Sequence, residues 1–139
     1  MDIKAIGIVG AGQMGNGSAH VMSLAGYDVL LNDISEDALN AAMDLMKKNM
    51  DRQVSRGKIT GGDQAAALAR IRTTQTLTEL GQTDLIIEAA TEREAVKQAI
   101  FEDLVPHLQP HTILTSNTSS ISITRLASRT DRPEKFMGF

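Results

Sequence analysis

The sequence contains no cysteine. Disulfides, thiolate metal sites and cysteine nucleophiles are therefore excluded. Its three histidines, His20, His107 and His111, are scattered and show no metal-ligand spacing. No apolar run approaches the roughly 20 residues of a membrane span. The first residues run straight into a strand pattern, without the basic, apolar and small-residue succession of a leader. A reducing cytoplasm is the expected location. With 14 basic and 17 acidic residues the net charge is −3, which gives no electrostatic footprint for nucleic acid. The expected partners accordingly include neither a membrane nor a nucleic acid.

What remains is an ordinary globular composition, 42% hydrophobic and 22% charged over 139 residues. That length is enough for one domain with a core of its own. The β-branched run 3–9 ends in glycines and reads as a buried strand. A helix is expected over 13–25, with apolar positions at Met14, Ala19, Val21, Met22 and Leu24, and with Gly26 as its terminal glycine. A strand over 28–32 follows. Ser35 then opens a long helix to about Arg56, with Leu39, Met43, Met46 and Met50 as its core stripe. Gly57 and the pair Gly61 and Gly62 break the chain. Next come a short helix over 64–69, a weak strand over 71–74 and a strong one over 84–88. A helix over 93–104 is stopped by Pro106. Strands over 112–115 and 136–139 flank a short helix over 122–127.

Strands alternating with helices predict an α/β fold of the Rossmann type, a doubly wound and mostly parallel sheet. The chain stops in an apolar run, which would leave its last strand half made. The expectation is a Rossmann domain over 1–139 that is the N-terminal part of a longer polypeptide, although a strand closing the sheet edge would look the same.

The chemistry begins at Gly10, Ala11, Gly12, Gln13, Met14 and Gly15, between the first strand and the first helix. A GxGxxG pattern carries weight only in that context. Gly10 permits a tight turn, Gly12 lets the backbone approach a pyrophosphate, and Gly15 lets the helix pack closely on the strand. Free N–H groups at the helix start, together with its dipole, hold phosphate. Gly17 extends the series and is expected to serve close packing of the same helix. A glycine-rich turn without a ligand is the competing reading. Asp33 ends the second strand, where a carboxylate accepts hydrogen bonds from ribose hydroxyls. It would repel a 2′-phosphate by about 4 kcal/mol before screening, at ~4 Å and an effective dielectric of ~20. No arginine follows it, so NAD is favoured over NADP. An N-cap for the next helix is the bland alternative, and the two roles are compatible.

Ligands of open parallel sheets sit beyond the carboxyl ends of the strands. Two further strand ends therefore matter. One carries Glu88, Ala89, Ala90, Thr91 and Glu92, leading into a helix with Lys97. The other carries Ser116, Asn117, Thr118, Ser119 and Ser120. The second cluster could orient a carboxamide and a substrate oxygen, or simply cap a loop.

The segments IGIVGAGQMGNG, LLNDIS, DLIIEAATE, LTSNTSSISIT and KFMGF resemble, in order and spacing, the N-terminal domain of the 3-hydroxyacyl-CoA dehydrogenase family. The resemblance covers the whole chain. It implies that residues 10–15 wrap the pyrophosphate and Asp33 holds the adenosine ribose. Ala89, Glu92 and Lys97 would line the nicotinamide side, and Asn117 would also touch the cofactor. Ser119 would stand between cofactor and substrate, bonded to the reacting 3-oxygen. In the family a histidine base, oriented by a glutamate, follows the segment matching 137–139, where this chain ends. A helical C-terminal domain completes the acyl-CoA cleft and much of a homodimer contact.

Lys48, Arg52 and Arg56 share one face of the long helix. The resemblance implies coenzyme A contacts at Asn49 and Arg56, with Lys58 as a nearby alternative. A solvated basic face is the bland reading. The implied reaction is reversible oxidation of a (3S)-3-hydroxyacyl-CoA, 3-hydroxybutyryl-CoA in particular, with NAD. The chain by itself is expected to bind NAD and turn over poorly. Two other readings stand beside it: an NAD-binding module without chemistry, and a Rossmann dehydrogenase of a free hydroxy acid.

Overall fold

A computed structural model of the chain describes residues 3–90, 93–116 and 136–138. The strands are β1 (Ala5–Val9), β2 (Asp28–Asn32), β3 (Ile71–Thr74), β4 (Leu85–Glu88), β5 (Ile113–Ser116) and β6 (Phe136–Gly138). They form one parallel sheet in the order β3-β2-β1-β4-β5-β6. The helices are α1 (Gln13–Leu24), α2 (Glu36–Ser55), α3 (Gly61–Arg70) and α4 (Glu94–Leu104). This is the doubly wound order expected from the alternation of strands and helices.

Side chains alternate across each strand, so every central strand feeds two cores. Ile6, Ile8, Val29, Leu31, Ile71 and Ile87 meet Ala19 of α1 and Leu39, Ala42 and Met46 of α2. On the other face Val9, Leu30, Ile86 and Leu114 meet Phe101 and Leu104 of α4. Leu80 joins this second core from a 3₁₀ turn, Leu77–Gln82, that the sequence pattern did not predict. A run of six residues holding Gly81 and Thr78 has too little helical periodicity to show in sequence.

Local signals explain most boundaries. Ser35 caps α2 by accepting from the Ala38 N–H at 3.1 Å, and two acidic residues fill the first turn. Met46 and Met50 are fully buried, as their spacing predicts. Gly26 stops α1 with φ +104°, and Tyr27 N–H donates back to the Met22 carbonyl at 3.1 Å.

Two expectations are corrected. The third helix starts at Gly61, not at Gln64. Thr60 and Asp63 form a reciprocal capping box, both bonds 3.0 Å, which outweighs the poor helix propensity of Gly61 and Gly62. In α1, Met14 and Val21 face outward, 45% and 61% exposed. The buried face is instead Gly15, Asn16, Ala19 and Ser23, because α1 lies too close to the sheet for large side chains.

Asp84 fastens the amino ends of three strands. Its carboxylate accepts from the Lys4 and Ala5 N–H groups at 2.9 and 3.0 Å and pairs with His111 Nε2 at 2.6 Å. His111 is thus a structural partner rather than a bare surface residue, while His107 is exposed. The His111 bond first, then the two backbone donors, lower the Asp84 pKa from 3.8 to about 2. A folded-state value below the unfolded one stabilises above pH ~4, and the contribution disappears as pH falls toward 2. Urea midpoints of the wild type should therefore drop between pH 4 and 2. Asp84→Asn should lower the midpoint at pH 6 and flatten that acid dependence.

Candidate functional site

The strand order reverses between β1 and β4, and a cavity of about 650 Å³ opens beyond their carboxyl ends. The glycine loop, Asp33, the β4 exit at Ala89 and Ala90, and the Ala38, Ala41 and Leu45 side of α2 line it. A similar volume, about 640 Å³, lies at the opposite edge near Ala5, Asp28 and Arg72. That edge is not where parallel sheets of this kind bind ligands.

Each glycine of the loop has a different physical reason. Gly10 has φ +101°, and a Cβ there would stand 2.6 Å from Ala90 Cα. A Cβ on Gly15 would collide with the Gly10 carbonyl oxygen, so this glycine seats α1 on the loop. Gly12 has neither constraint: its φ is −71° and nothing lies within 4 Å of a Cβ placed on it. The fold does not require a glycine there. It leaves the backbone at residue 12 bare toward the cavity. Gly17 also has open space around it, so the expected packing role for Gly17 is not found. It faces solvent, on the side of α1 away from the sheet.

The start of α1 has no side-chain cap and no acidic residue in its first turn, whereas α2 and α3 have both. The positive end of this helix dipole is left to whatever occupies the cavity. Asp33 is half-buried beside it. Its Oδ2 accepts from Ala11 N–H at 3.0 Å and its Oδ1 from Ser35 N–H at 2.9 Å. It is not the N-cap of α2, since Ser35 fills that position. A carboxylate offers about four acceptor sites, so room for ribose hydroxyls remains.

Beneath the β4 exit lies a buried ionic group. Lys97, on the first turn of α4, forms an ion pair with Glu88, the last residue of β4. Lys97 Nζ also donates to Ser116 Oγ at 3.2 Å, and Ser116 donates to Glu88 Oε1 at 2.7 Å. Ser116 closes β5, one residue later than the expected strand end. Lys97, expected to line the nicotinamide side, is only 1% exposed. Sequence reading gave Glu88 no individual role and took Ser116 only as one member of the polar cluster 116–120. The available signal was a lone acid ending the apolar strand Leu85–Glu88, with a lysine in the following helix. Removing one member of such a pair strands a buried charge, at a typical cost of about 3–5 kcal/mol.

Asn49 and Arg56 do come together. With His20, Arg52, Gln53 and Lys58 they surround a smaller cavity of about 330 Å³ between α1 and the end of α2. His20 Nε2 meets Gln53 Oε1 at 2.7 Å. Lys48 is exposed and is not part of that lining. Glu92, Asn117 and Ser119, and the helix expected over 122–127, lie outside the described residues. None of the three histidines lines the cavity at the glycine loop. Among the described residues no cluster of histidine and acidic groups could hold a metal ion.

The chain belongs to the family described as the NAD-binding domain of 3-hydroxyacyl-CoA dehydrogenase, whose profile matches residues 5–139. It is 52% identical over 136 residues to a 3-hydroxybutyryl-CoA dehydrogenase of Bradyrhizobium diazoefficiens, covering 98% of this chain and 46% of that protein. It is 40% identical to the 3-hydroxyadipyl-CoA dehydrogenase of Escherichia coli, covering 99% of the chain and 29% of the relative. The crystal structure of the (S)-3-hydroxybutyryl-CoA dehydrogenase from Ralstonia eutropha superposes with a TM-score of 0.93 at 41% identity, over 99% of this chain and 48% of that one. The chain thus spans half or less of the length of these relatives. NAD is the cofactor of the family.

The two helical glycines make a direct test. Gly15→Ala should lower stability by about 1–3 kcal/mol, the usual range for forced overpacking. Gly17→Ala should raise it by about 0.5–1 kcal/mol through helix propensity alone. Thermal melts of the two variants against wild type would separate them, and equal effects would contradict the packing described.

Proposed function

We propose that the protein of which this chain forms the cofactor half oxidises a (3S)-3-hydroxyacyl-CoA to the 3-oxoacyl-CoA reversibly, with 3-hydroxybutyryl-CoA as substrate. NAD, when bound, supplies the acceptor for the hydride that leaves substrate C3. The residues present fit that cofactor: an uncapped helix start for its phosphates, a carboxylate for its ribose, and an open face at Gly12. The Gly12 observation carries the reading, because its bare backbone lines the cavity at the uncapped helix start, where a pyrophosphate would approach.

In this reading residues 10–15 hold the pyrophosphate and Asp33 orients the adenosine ribose while excluding a 2′-phosphate. Ala89 and Glu92 border the nicotinamide side, with Asn117. Ser119 orients the reacting 3-oxygen. Asn49 and Arg56 receive coenzyme A, in a cavity whose Arg52 and Lys58 add positive charge for its phosphates. The basic cavity favours a CoA ester over a free hydroxy acid. The working location is the cytoplasm, and the whole protein works as a homodimer.

The chain's own histidines are placed elsewhere: one pairs with Asp84, one is exposed, and His20 lies by the smaller cavity. A proton acceptor of that type has to come from outside these residues. General base catalysis contributes about 10²–10⁴-fold. The 139-residue chain should therefore bind NADH but reduce acetoacetyl-CoA at least about 100-fold more slowly than a longer relative. Turnover at the relative's rate would overturn this assignment.

The chain has no tryptophan, so the fluorescence of NADH itself reports binding. Gly12→Val should leave the melting temperature within a few degrees of wild type and weaken NADH more than tenfold. A variant that binds NADH as wild type does would remove the main support for the cofactor reading.

A further inference from the structure

We propose that His20 is a positioning residue that sets the phosphate selectivity of the cavity between α1 and the end of α2. It holds the side-chain carbonyl of Gln53 and so leaves the amide NH2 of Gln53 for a ligand. The group selected is the terminal 3′-phosphomonoester of a coenzyme A. The proposal rests on the coenzyme A reading above. His20 and Gln53 are half-buried, whereas Arg52, Arg56 and Lys58 around them are exposed.

These positions follow from helix spacing and from the way α2 ends. Asn49, Gln53 and Arg56 recur every three or four residues, so they share a face of α2. Gly57, at φ +71°, then turns the chain back. Its N–H donates to the Val54 carbonyl at 3.0 Å, and the Lys58 N–H donates to the Gln53 backbone carbonyl at 2.8 Å. This doubly bonded helix end returns Lys58 to the same cavity. Gln53 is therefore fixed twice, by Lys58 through its backbone and by His20 through its side chain. His20 belongs to α1, so the second bond also spans the two helices.

An amide oxygen only accepts, so His20 Nε2 is the donor in the 2.7 Å bond to Gln53 Oε1. What Gln53 has left for the cavity is its NH2, which only donates. Arg52, Arg56 and Lys58 add cations, and no acidic residue is among those that surround the cavity. The one acid of this stretch, Asp51, is taken up by Gln64 Nε2 at 2.7 Å on the α3 side. A simpler account is that the cations offset the α2 dipole, whose carboxyl end carries roughly −0.5 charge. Three full charges exceed that need, and the dipole gives no reason for a donor held in place from α1. A phosphomonoester brings about −2 charge and three acceptor oxygens, which matches such a wall. Placement agrees. α2 starts beside Asp33 and rises about 1.5 Å per residue, so Asn49 lies roughly 20 Å along its axis from that start. The thioester of a coenzyme A substrate has to reach the nicotinamide, so its opposite end, the phosphorylated ribose, extends this far.

Coenzyme A and dephospho-coenzyme A, which lacks only the 3′-phosphate, test this in calorimetric titrations of the 139-residue chain. The wild type should prefer coenzyme A at least about tenfold, the usual worth of one charge-assisted hydrogen bond. His20→Leu should cut that preference to about threefold or less, with dephospho-coenzyme A held within about twofold of wild type. His20→Gln returns an N–H donor to the Gln53 carbonyl and should bring the preference back above about fivefold. Gln53→Glu puts a carboxylate where the donor stood and should abolish the preference. It carries the comparison if the histidine variants fail to fold. If His20→Leu weakens both ligands equally, the histidine is merely structural and the proposal falls. It falls as well if Gln53→Glu keeps the wild-type preference, or if His20→Gln behaves as His20→Leu does. A wild type that binds both ligands alike overturns the phosphate selectivity and leaves the coenzyme A reading standing. One that binds neither overturns the coenzyme A contacts themselves.

Discussion

The backbone of Gly10 lies directly against the backbone of Ala90, and the rest of the site depends on that approach. It brings the exits of β1 and β4 together at the point where the strand order reverses. The Gly10 carbonyl then sets how near α1 can come, since it occupies the space that any side chain at residue 15 would need. The axis of α1 follows from these two contacts, and so does the direction of its uncapped amino end. A turn with side chains at either glycine would hold the same strands but would aim the helix dipole elsewhere.

Strand β4 is anchored at both ends by acids, in opposite ways. Asp84, just before it, is partly open to solvent and gathers the amino ends of β1 and β5 through backbone donors and His111. Glu88, its last residue, is sealed from solvent and gathers α4, β5 and the exit loop. Between them Ile86 and Ile87 enter opposite cores. The four-residue strand thus adds side-chain ties at both ends to its ladder pairing with β1 and β5. The solvent-facing acid remains sensitive to bulk pH, as its depressed pKa implies.

Much of the architecture was legible because the signals were local. The strand periodicity, the Ser35 cap and the terminal glycine Gly26 each rest on residues a few positions apart. The errors came where a non-local or reciprocal interaction decided the outcome. The Thr60–Asp63 box started a helix that two glycines seemed to forbid. The outward turn of Met14 and Val21 followed from how closely α1 approaches the sheet, which only its partners determine. The same holds at the site. Gly10, Gly15 and Asp33 could be read from motif and context. The pairing of Glu88 with Lys97 and Ser116 joins three elements, and no window of sequence contains it. For Gly17 the motif misled, since a Cβ on this glycine would meet nothing within 4 Å among the described residues.

Asp33 has a consequence for attempts to redesign cofactor choice. Its two oxygens already hold Ala11 of the glycine loop and Ser35, which caps the next helix. Substituting an apolar or basic residue to welcome a 2′-phosphate would release both backbone donors at once. The phosphate cradle and the start of α2 would lose their shared anchor together with the discriminating charge. Conversion to NADP would therefore be an epistatic problem, in which a second substitution must rebuild the loop before the first can show its benefit.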